Sequence, residues 1–244
     1  MLSIFKKEVS YFLSSLTGSI VIIVFLLLTG SFIWIFSSTS VFNYNYASLG
    51  QLFAIGPIAF MFLIPAITMQ SFADENQRGT LEFLFTKPLR DLDIVLGKYL
   101  ATCFLIFLSL IPTLIYYYSI IKLGSPEGNI DSGATMGSYI GLFLLGAVFA
   151  ALGLYISSNS NNSIVAFILS AFGCFVLFWA FGFLADLPMF YGKTDNLIRS
   201  LGLEYHYESI SKGRIDSRDV VYFLSLIAFF IWLTYQTMQR RKNK

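Results

Sequence analysis

Residues 19–37 read SIVIIVFLLLTGSFIWIFS, an apolar run without a charged side chain. A helix of about 20 apolar residues is long enough to cross the hydrocarbon core of a bilayer. No charged residue occurs between Glu8 and Asp74, and this interval has room for a second span near 51–71. The stretch therefore predicts a helical membrane protein whose chain crosses the bilayer and returns.

The rest of the chain repeats this pattern. Of its 244 residues, 56% are hydrophobic and 12% are charged, whereas soluble domains carry about 25% charged residues. The mean hydropathy of +0.71 likewise requires lipid as the solvent for much of the surface. The sequence predicts an all-α integral membrane protein with one transmembrane domain, residues 17–239, and six transmembrane helices. We place the spans near 19–37, 51–71, 99–121, 135–156, 163–185 and 220–238.

The two ends of the chain differ from these apolar segments. Residues 1–16 carry Leu2, Phe5 and Val9 at three- and four-residue spacing, with lysines on the other face. This spacing is typical of an amphipathic helix at the membrane surface. We predict such an interfacial helix, and a frayed extension of the first span is the alternative. Residues 240–244 form a basic tail.

The lysines and arginines set the expected orientation, because cytoplasmic loops of membrane proteins are enriched in them. Most of the 16 lie on the N-terminal side of the bilayer, in the first residues, the loop 72–98 and the tail. We therefore expect both termini and this loop in the cytoplasm. The loop 186–219 is then extracytoplasmic, and its mixed charges predict that it is hydrated.

Few residues of the sequence suggest chemistry. An ionisable side chain at the bilayer centre is costly and is usually kept for a function, and the six predicted spans contain none. The tripeptide Gly-Lys-Thr at 192–194 lacks the glycine that a phosphate loop needs five residues earlier, where the chain has Leu187. His206 is interpreted as a solvated loop residue, and the two cysteines, Cys103 and Cys174, as small buried residues. We predict no catalytic residue, no metal site, no cofactor and no nucleic-acid partner. Any driving force must then come from another chain.

The cytoplasmic loop combines charged and apolar residues at helical spacing. Thr80 is a suitable N-cap and Pro88 a suitable end for a short helix between them. Such a helix would lie along the inner membrane surface and expose a mixed face. A plain interfacial connector is the alternative that the pattern leaves open.

One run of residues in this loop is recognisable. It consists of Glu75, Arg78, Gly79, Thr80, Leu81, Glu82, Phe83, Leu84, Thr86 and Pro88, followed by Gly97 and Lys98. The run resembles the first cytoplasmic loop of ABC-2-type transporter permeases. The amphipathic start of the chain is similar to the elbow helix of this family, and residues 206–219 are similar to the segment before its last span.

The resemblance implies a role for the loop. In this family the loop contains a coupling helix that docks on the ATPase subunit, so the ATPase-coupling residues would be Glu75, Arg78, Gly79, Thr80, Leu81 and Glu82. It also implies an ABC ATPase subunit as partner and a second permease copy or paralogue, since one six-helix unit forms half of the pathway. ATP hydrolysis is expected in the partner and not in this chain.

More narrowly, the sequence resembles the gliding-motility-associated permease subunits of this family. This resemblance implies an exporter-type complex in the bacterial inner membrane, with a possible auxiliary extracytoplasmic subunit. A membrane scaffold that anchors a motility or secretion machine without transporting anything is the main alternative, because no cluster of polar substrate-binding residues stands out. A passive channel and an intramembrane enzyme are weaker alternatives, since polar residues such as Gln51 and Gln70 lie only at span ends.

Overall fold

The computed structural model describes residues 1–44, 48–80, 90–190, 192 and 194–242, and within these ranges it is helical and contains no strand. Two 3-10 turns and one π-helical turn (Val176–Ala180) interrupt the helices. Six helical segments in these ranges are long and apolar enough to cross a membrane, which confirms the predicted fold class. The helices are α1 (Leu2–Ser14), α2 (Leu16–Trp34), α3 (Val41–Tyr44), α4 (Gly50–Gln77), α5 (Asp91–Leu110), α6 (Leu114–Leu123), α7 (Ser132–Asn159), α8 (Ser163–Phe175), α9 (Phe181–Ala185), α10 (Asp195–Arg199), α11 (Leu203–Ser211) and α12 (Ser217–Lys242).

Two of the six spans are assembled from consecutive helices. The third span, Asp91–Leu123, consists of α5, a 3-10 turn at Ile111–Thr113, and α6. Pro112 lies in this turn, where its missing N–H and its ring prevent a regular α-helical bond. The fifth span, Ser163–Ala185, runs through α8, the π-helical turn and α9.

The centre of the bundle is the pair α4 and α7. A Cβ atom built on Gly153 of α7 would lie only 2.1 Å from Thr68 Oγ1 of α4, so the two helices approach too closely there for any side chain at Gly153. Small residues allow such close packing between membrane helices, where association depends on van der Waals contact. Large buried side chains of both helices, among them Phe60, Ile64 and Phe149, fill the surrounding core.

Both ends of the chain lie at the same end of the bundle. The Met1 ammonium lies 3.8 Å from Asp93 at the start of α5, and Lys242 Nζ at the end of α12 lies 3.2 Å from Asp91. We call this end, with the end of α4 and the α7–α8 turn, the terminal face. The opposite end, with α3, α10 and α11, is the distal face. Which face is cytoplasmic stays a prediction.

The prediction that the segment before the last span is hydrated is wrong for α11. Leu203, Tyr207 and Ile210 of this helix are buried. The Tyr207 hydroxyl donates a hydrogen bond to the carbonyl oxygen of Phe53 in α4, at 2.7 Å. A short helix of mixed composition can therefore pack into the bundle, because its three apolar side chains fall on one face.

The interpretation of His206 as a solvated residue is also wrong. Its side chain is buried, its Nδ1 lies 2.7 Å from Asp219 Oδ1, and its Nε2 lies 2.8 Å from the carbonyl oxygen of Ser200. The ring stacks on Tyr222 with centroids 4.0 Å apart. These contacts fasten α11 to the start of α12, and they depend on a helix pairing that sequence spacing does not reveal.

Candidate functional site: the polar clamp around the end of α4

A buried lysine lies at the centre of the terminal face. Lys98 is 2% exposed, and its ammonium group contacts three oxygens: Ser71 O at 2.6 Å, Glu75 Oε1 at 3.0 Å and Glu8 Oε1 at 3.2 Å. It also lies 4.9 Å above the ring of Phe72, within the range of a cation–π contact. Lys98 thereby joins α1, α4 and α5.

The sequence predicts that Lys98 lies in the loop before the third span, and the structure shows that it is buried in the helix bundle. The expected span begins at 99, after Lys98, whereas α5 begins at Asp91 and places Lys98 in its third turn. Glu8 is buried as well, on the face of α1 that also buries Ile4 and Phe12. The charges are tolerated in the interior because they pair with each other across helices.

We call Lys7, Glu8, Glu75 and Lys98 the ion cluster. Lys7 Nζ lies 3.7 Å from both Glu8 Oε1 and Glu75 Oε1, and its side chain remains 62% exposed. Two ammonium groups thus balance two carboxylates. Glu75 Oε2 is buried without a hydrogen-bond partner in the described part of the chain, beside a cavity of about 220 Å³. The cluster is neutral but not fully satisfied.

The opposite side of α4 is held by a turn rich in serine. Ser157 Oγ accepts hydrogen bonds from the backbone N–H groups of Phe72 and Ala73, both at 3.1 Å, and donates one to Met69 O at 3.0 Å. Ser157 therefore contacts the helix backbone itself. We call Ser157, Ser158, Ser160 and Ser163 the serine turn.

Two polar side chains of α4 reach the same turn. Asn76 Nδ2 donates to Ser160 O at 2.9 Å, and the Ser163 hydroxyl donates to Asp74. The last turns of α4 therefore have polar contacts on two sides, with the ion cluster on one side and the serine turn on the other. We call the two together the polar clamp.

The chain leaves the polar clamp at once after α4. Arg78, Gly79 and Thr80 are exposed, and Gly79 has φ +66°, a left-handed conformation that favours glycine. The glycine thereby allows the chain to turn sharply at the end of α4. Thr80 Oγ1 donates to Glu75 O at 3.4 Å.

The residues predicted to contact an ATPase fall into three groups. Glu75 points into the ion cluster, whereas Arg78, Gly79 and Thr80 lie at the surface of the terminal face. Leu81 and Glu82 lie outside the described residues, as does most of the predicted helix between Thr80 and Pro88. The assignment of all six to ATPase coupling stays a prediction.

Sequence reasoning missed Glu8 and Ser157, and it named Lys98 only as part of the recognisable run, without its burial or its partners. A signal for Glu8 was present, because it follows Ile4 and precedes Phe12 at four-residue spacing and so shares their face. No comparable signal marks Ser157, whose partners lie more than 80 positions away in the sequence.

The comparisons with known proteins agree with this architecture. A family model described as ABC-2 family transporter protein matches residues 34–202, more than half of the chain. The match includes α4, α5 and α7, and with them most of the polar clamp. A search of curated proteins finds no match. The chain belongs to the ABC-2 family of transporter proteins and is a multi-pass membrane permease.

Proposed function

We propose that the chain is the membrane half of an ATP-powered exporter, and that the force of a separate ATPase subunit enters through the exposed turn Arg78–Thr80. The single observation that carries this proposal is the polar clamp. It holds the last turns of α4 by polar contacts on two sides, while the residues that follow directly are exposed and accessible to another protein.

A force on this turn would reach the distal face through α4. The helix has 28 residues, which at 1.5 Å per residue is a length of about 42 Å. Because Lys98 ties α4 to α1 and α5, we expect these three helices to move together at the terminal face. A rigid-body shift of this kind is a common way in which a packed element changes between two arrangements.

The proposed complex needs further chains. Membership of the ABC-2 family implies an ABC ATPase partner. A second permease copy or a paralogue would supply the other half of the pathway. With the terminal face in the cytoplasm, the turn and the ATPase lie on the same side of the bacterial inner membrane.

The experiment reverses the charge at the turn. Arg78→Glu should lower co-purification of the ATPase with the permease by about tenfold or more, since a cation that docks on an acidic surface becomes a carboxylate, and like charges across an interface weaken binding. Lys122→Glu is the matched control, because Lys122 is equally a surface cation but lies at the distal face. Unchanged co-purification and ATPase activity with Arg78→Glu would remove the turn from coupling.

The finer assignment is to the gliding-motility-associated permease subunit GldF, which would add an auxiliary extracytoplasmic subunit to the complex. It is supported by the resemblance of the sequence as a whole, since residues 75–88 and 206–219 resemble the ABC-2 family in general. The test is complementation of a gliding bacterium that lacks its own permease subunit. Restored gliding supports the assignment, and a membrane-inserted chain that restores none contradicts it.

A further inference from the structure

The distal face contains two neighbouring cavities of about 290 Å³ and 340 Å³. Phe178, Trp179, Glu204 and Glu208 line both of them. We call these four residues the shared wall. They come from α11 and from the end of the fifth span opposite to Ser163, its only residue in the polar clamp.

The π-helical turn supplies the aromatic half of the shared wall. Such turns are rare and occur frequently at functional sites, because they widen the helix by one residue. Phe178 is buried and packs against Tyr207, with ring centroids 6.1 Å apart. Trp179 is only half-buried, and its ring meets Phe178 edge-on at 5.5 Å. Phe178 is therefore the anchor, and Trp179 presents its ring to the cavities.

The charges around the shared wall leave one carboxylate over. Asp186 pairs with Arg199, and Glu208 pairs with Lys212 at 2.6 Å. Glu204 forms no ion pair with any residue that the structure describes, although Trp179 and Arg199, which line the same cavity, both act to lower its pKa. Burial raises the pKa of Glu204 above its ordinary value, because the carboxylate has lost part of its contact with water.

The space beside Glu204 depends on a glycine. A Cβ atom on Gly182 would lie 3.1 Å from Glu204 Oε2, tighter than an ordinary contact. Gly182 also lines the 290 Å³ cavity, together with Phe183 and Tyr205. The cavity therefore combines aromatic rings, room for a small group and a carboxylate that has no ion-pair partner in the described part of the chain.

We propose that the shared wall binds an ammonium group, primary or quaternary, with Glu204 as its counter-ion and the ring of Trp179 as a cation–π partner. Aromatic rings beside a carboxylate are the chemistry that recognises such groups, and the cation supplies the missing positive charge. The group can belong to a phospholipid headgroup or to a soluble amine. The proposal does not depend on coupling to an ATPase.

The test follows Trp179 in the purified full chain. With Trp34→Phe and Trp232→Phe, Trp179 is the remaining tryptophan, and its fluorescence should change on titration with ethanolamine or choline. Glu204→Gln should weaken this binding by about tenfold or more. Glu127→Gln is the matched control, because Glu127 is an exposed carboxylate elsewhere on the distal face. A Glu204→Gln variant that binds as well as the parent would overturn the proposal.

A second variant keeps the proposal testable if Glu204→Gln does not fold. Gly182→Ala keeps the charge of Glu204 but crowds the cavity, and it should also weaken amine binding while the protein remains monodisperse. Two kinds of nanodisc then identify the source of the ligand. If a lipid headgroup is bound, phosphatidylethanolamine changes the fluorescence and phosphatidylglycerol does not. If only the soluble amines act, the ligand is a free amine. No response to any of these probes would disprove the site, and the coupling proposal would be unaffected because no ATPase is present.

Discussion

Burying the ammonium group of Lys98 costs solvation free energy, and the groups around it compensate for much of that cost. A lysine at 2% exposure has lost its water, and removing a buried ammonium from water costs several kcal/mol. Two carboxylates, a backbone carbonyl and an aromatic ring replace the water. Such a cluster is costly to break by one substitution, because the remaining charges lose their partners.

We expect Lys98→Met to destabilise the protein by about 3 kcal/mol, since it leaves Glu8 and Glu75 with only the exposed ammonium group of Lys7, 3.7 Å away, as an ion-pair partner. Removing all three charges, with Glu8→Gln and Glu75→Gln added, should restore much of the loss. Lys122→Met, which breaks an exposed pair with Glu127, should cost less than about 1 kcal/mol. Thermal unfolding in detergent measures all of these variants. If Lys98→Met alone were as stable as the parent, Lys98 would not be buried among carboxylates.

The pH dependence of amine binding tests Glu204 separately. Binding needs the carboxylate form, and burial raises the pKa of Glu204 above its ordinary 4.5. As the pH is lowered, affinity for ethanolamine should therefore fall with a midpoint above 4.5, and Glu204→Gln should remove this dependence. Trp179 fluorescence titrations over a pH series measure it. If affinity fell with a midpoint at or below pH 4.5, burial would not raise the pKa of Glu204 as stated.

At this scale the sequence reveals residue types but not their partners. Glu8 and Lys98 lie 90 positions apart, and Glu75 and Lys98 lie 23 apart. Each of them borders an apolar segment, and hydropathy alone treats a charge there as the boundary of a span. These ion pairs form because α1, α4 and α5 meet in the folded protein. A local sequence pattern contains no information about that meeting.

Among the helices, α4 and α7 share the most extensive contact, and the packing there depends on the absence of a side chain at Gly153. The hydroxyl of Thr68 donates to Ile64 O at 3.1 Å within α4. Its position is therefore fixed by its own helix, and it has little freedom to move away from α7.

Gly153→Ala should separate the two helices and destabilise the protein by about 1–3 kcal/mol, the usual cost of overpacking. Adding Thr68→Ala should recover part of the loss, because it removes the nearest atom, Thr68 Oγ1. Gly133→Ala is the control, since Gly133 is exposed in the first turn of α7. The melting temperatures of the parent, Gly153→Ala, the double variant and Gly133→Ala measure these changes in stability. Equal melting of Gly153→Ala and the parent would mean that the helices do not meet there.

The elements themselves follow from the sequence to different degrees. Each of the six spans could be located because apolar length is a direct physical requirement of the bilayer. The start of α5 could not, because Asp91 and Asp93 in its first turn look polar, although acidic residues are favourable at a helix N-terminus. α11 was missed for another reason. Nine residues of mixed composition do not show whether they face water or a neighbouring helix.

At the scale of the whole molecule, α4 connects the polar clamp with the cavities of the distal face. Its end is held in the polar clamp, and Gly50, Phe53 and Pro57 at its start line the 340 Å³ cavity of the distal face. A movement that enters at Arg78 therefore has a continuous helix along which to reach the cavity. This connection has a function only if the two faces lie on opposite sides of the membrane, with the terminal face inside.

Cysteine labelling tests this orientation with little background, because Cys103 and Cys174 are both buried. Thr80→Cys places a thiol on the terminal face, and Glu127→Cys places one on the distal face, both at exposed positions. In intact cells a membrane-impermeant maleimide should label Glu127→Cys and spare Thr80→Cys, because most lysines and arginines border the terminal face. Permeabilised cells should label both. The reverse pattern would place the turn Arg78–Thr80 outside the cell, where no cytoplasmic ATPase could contact it.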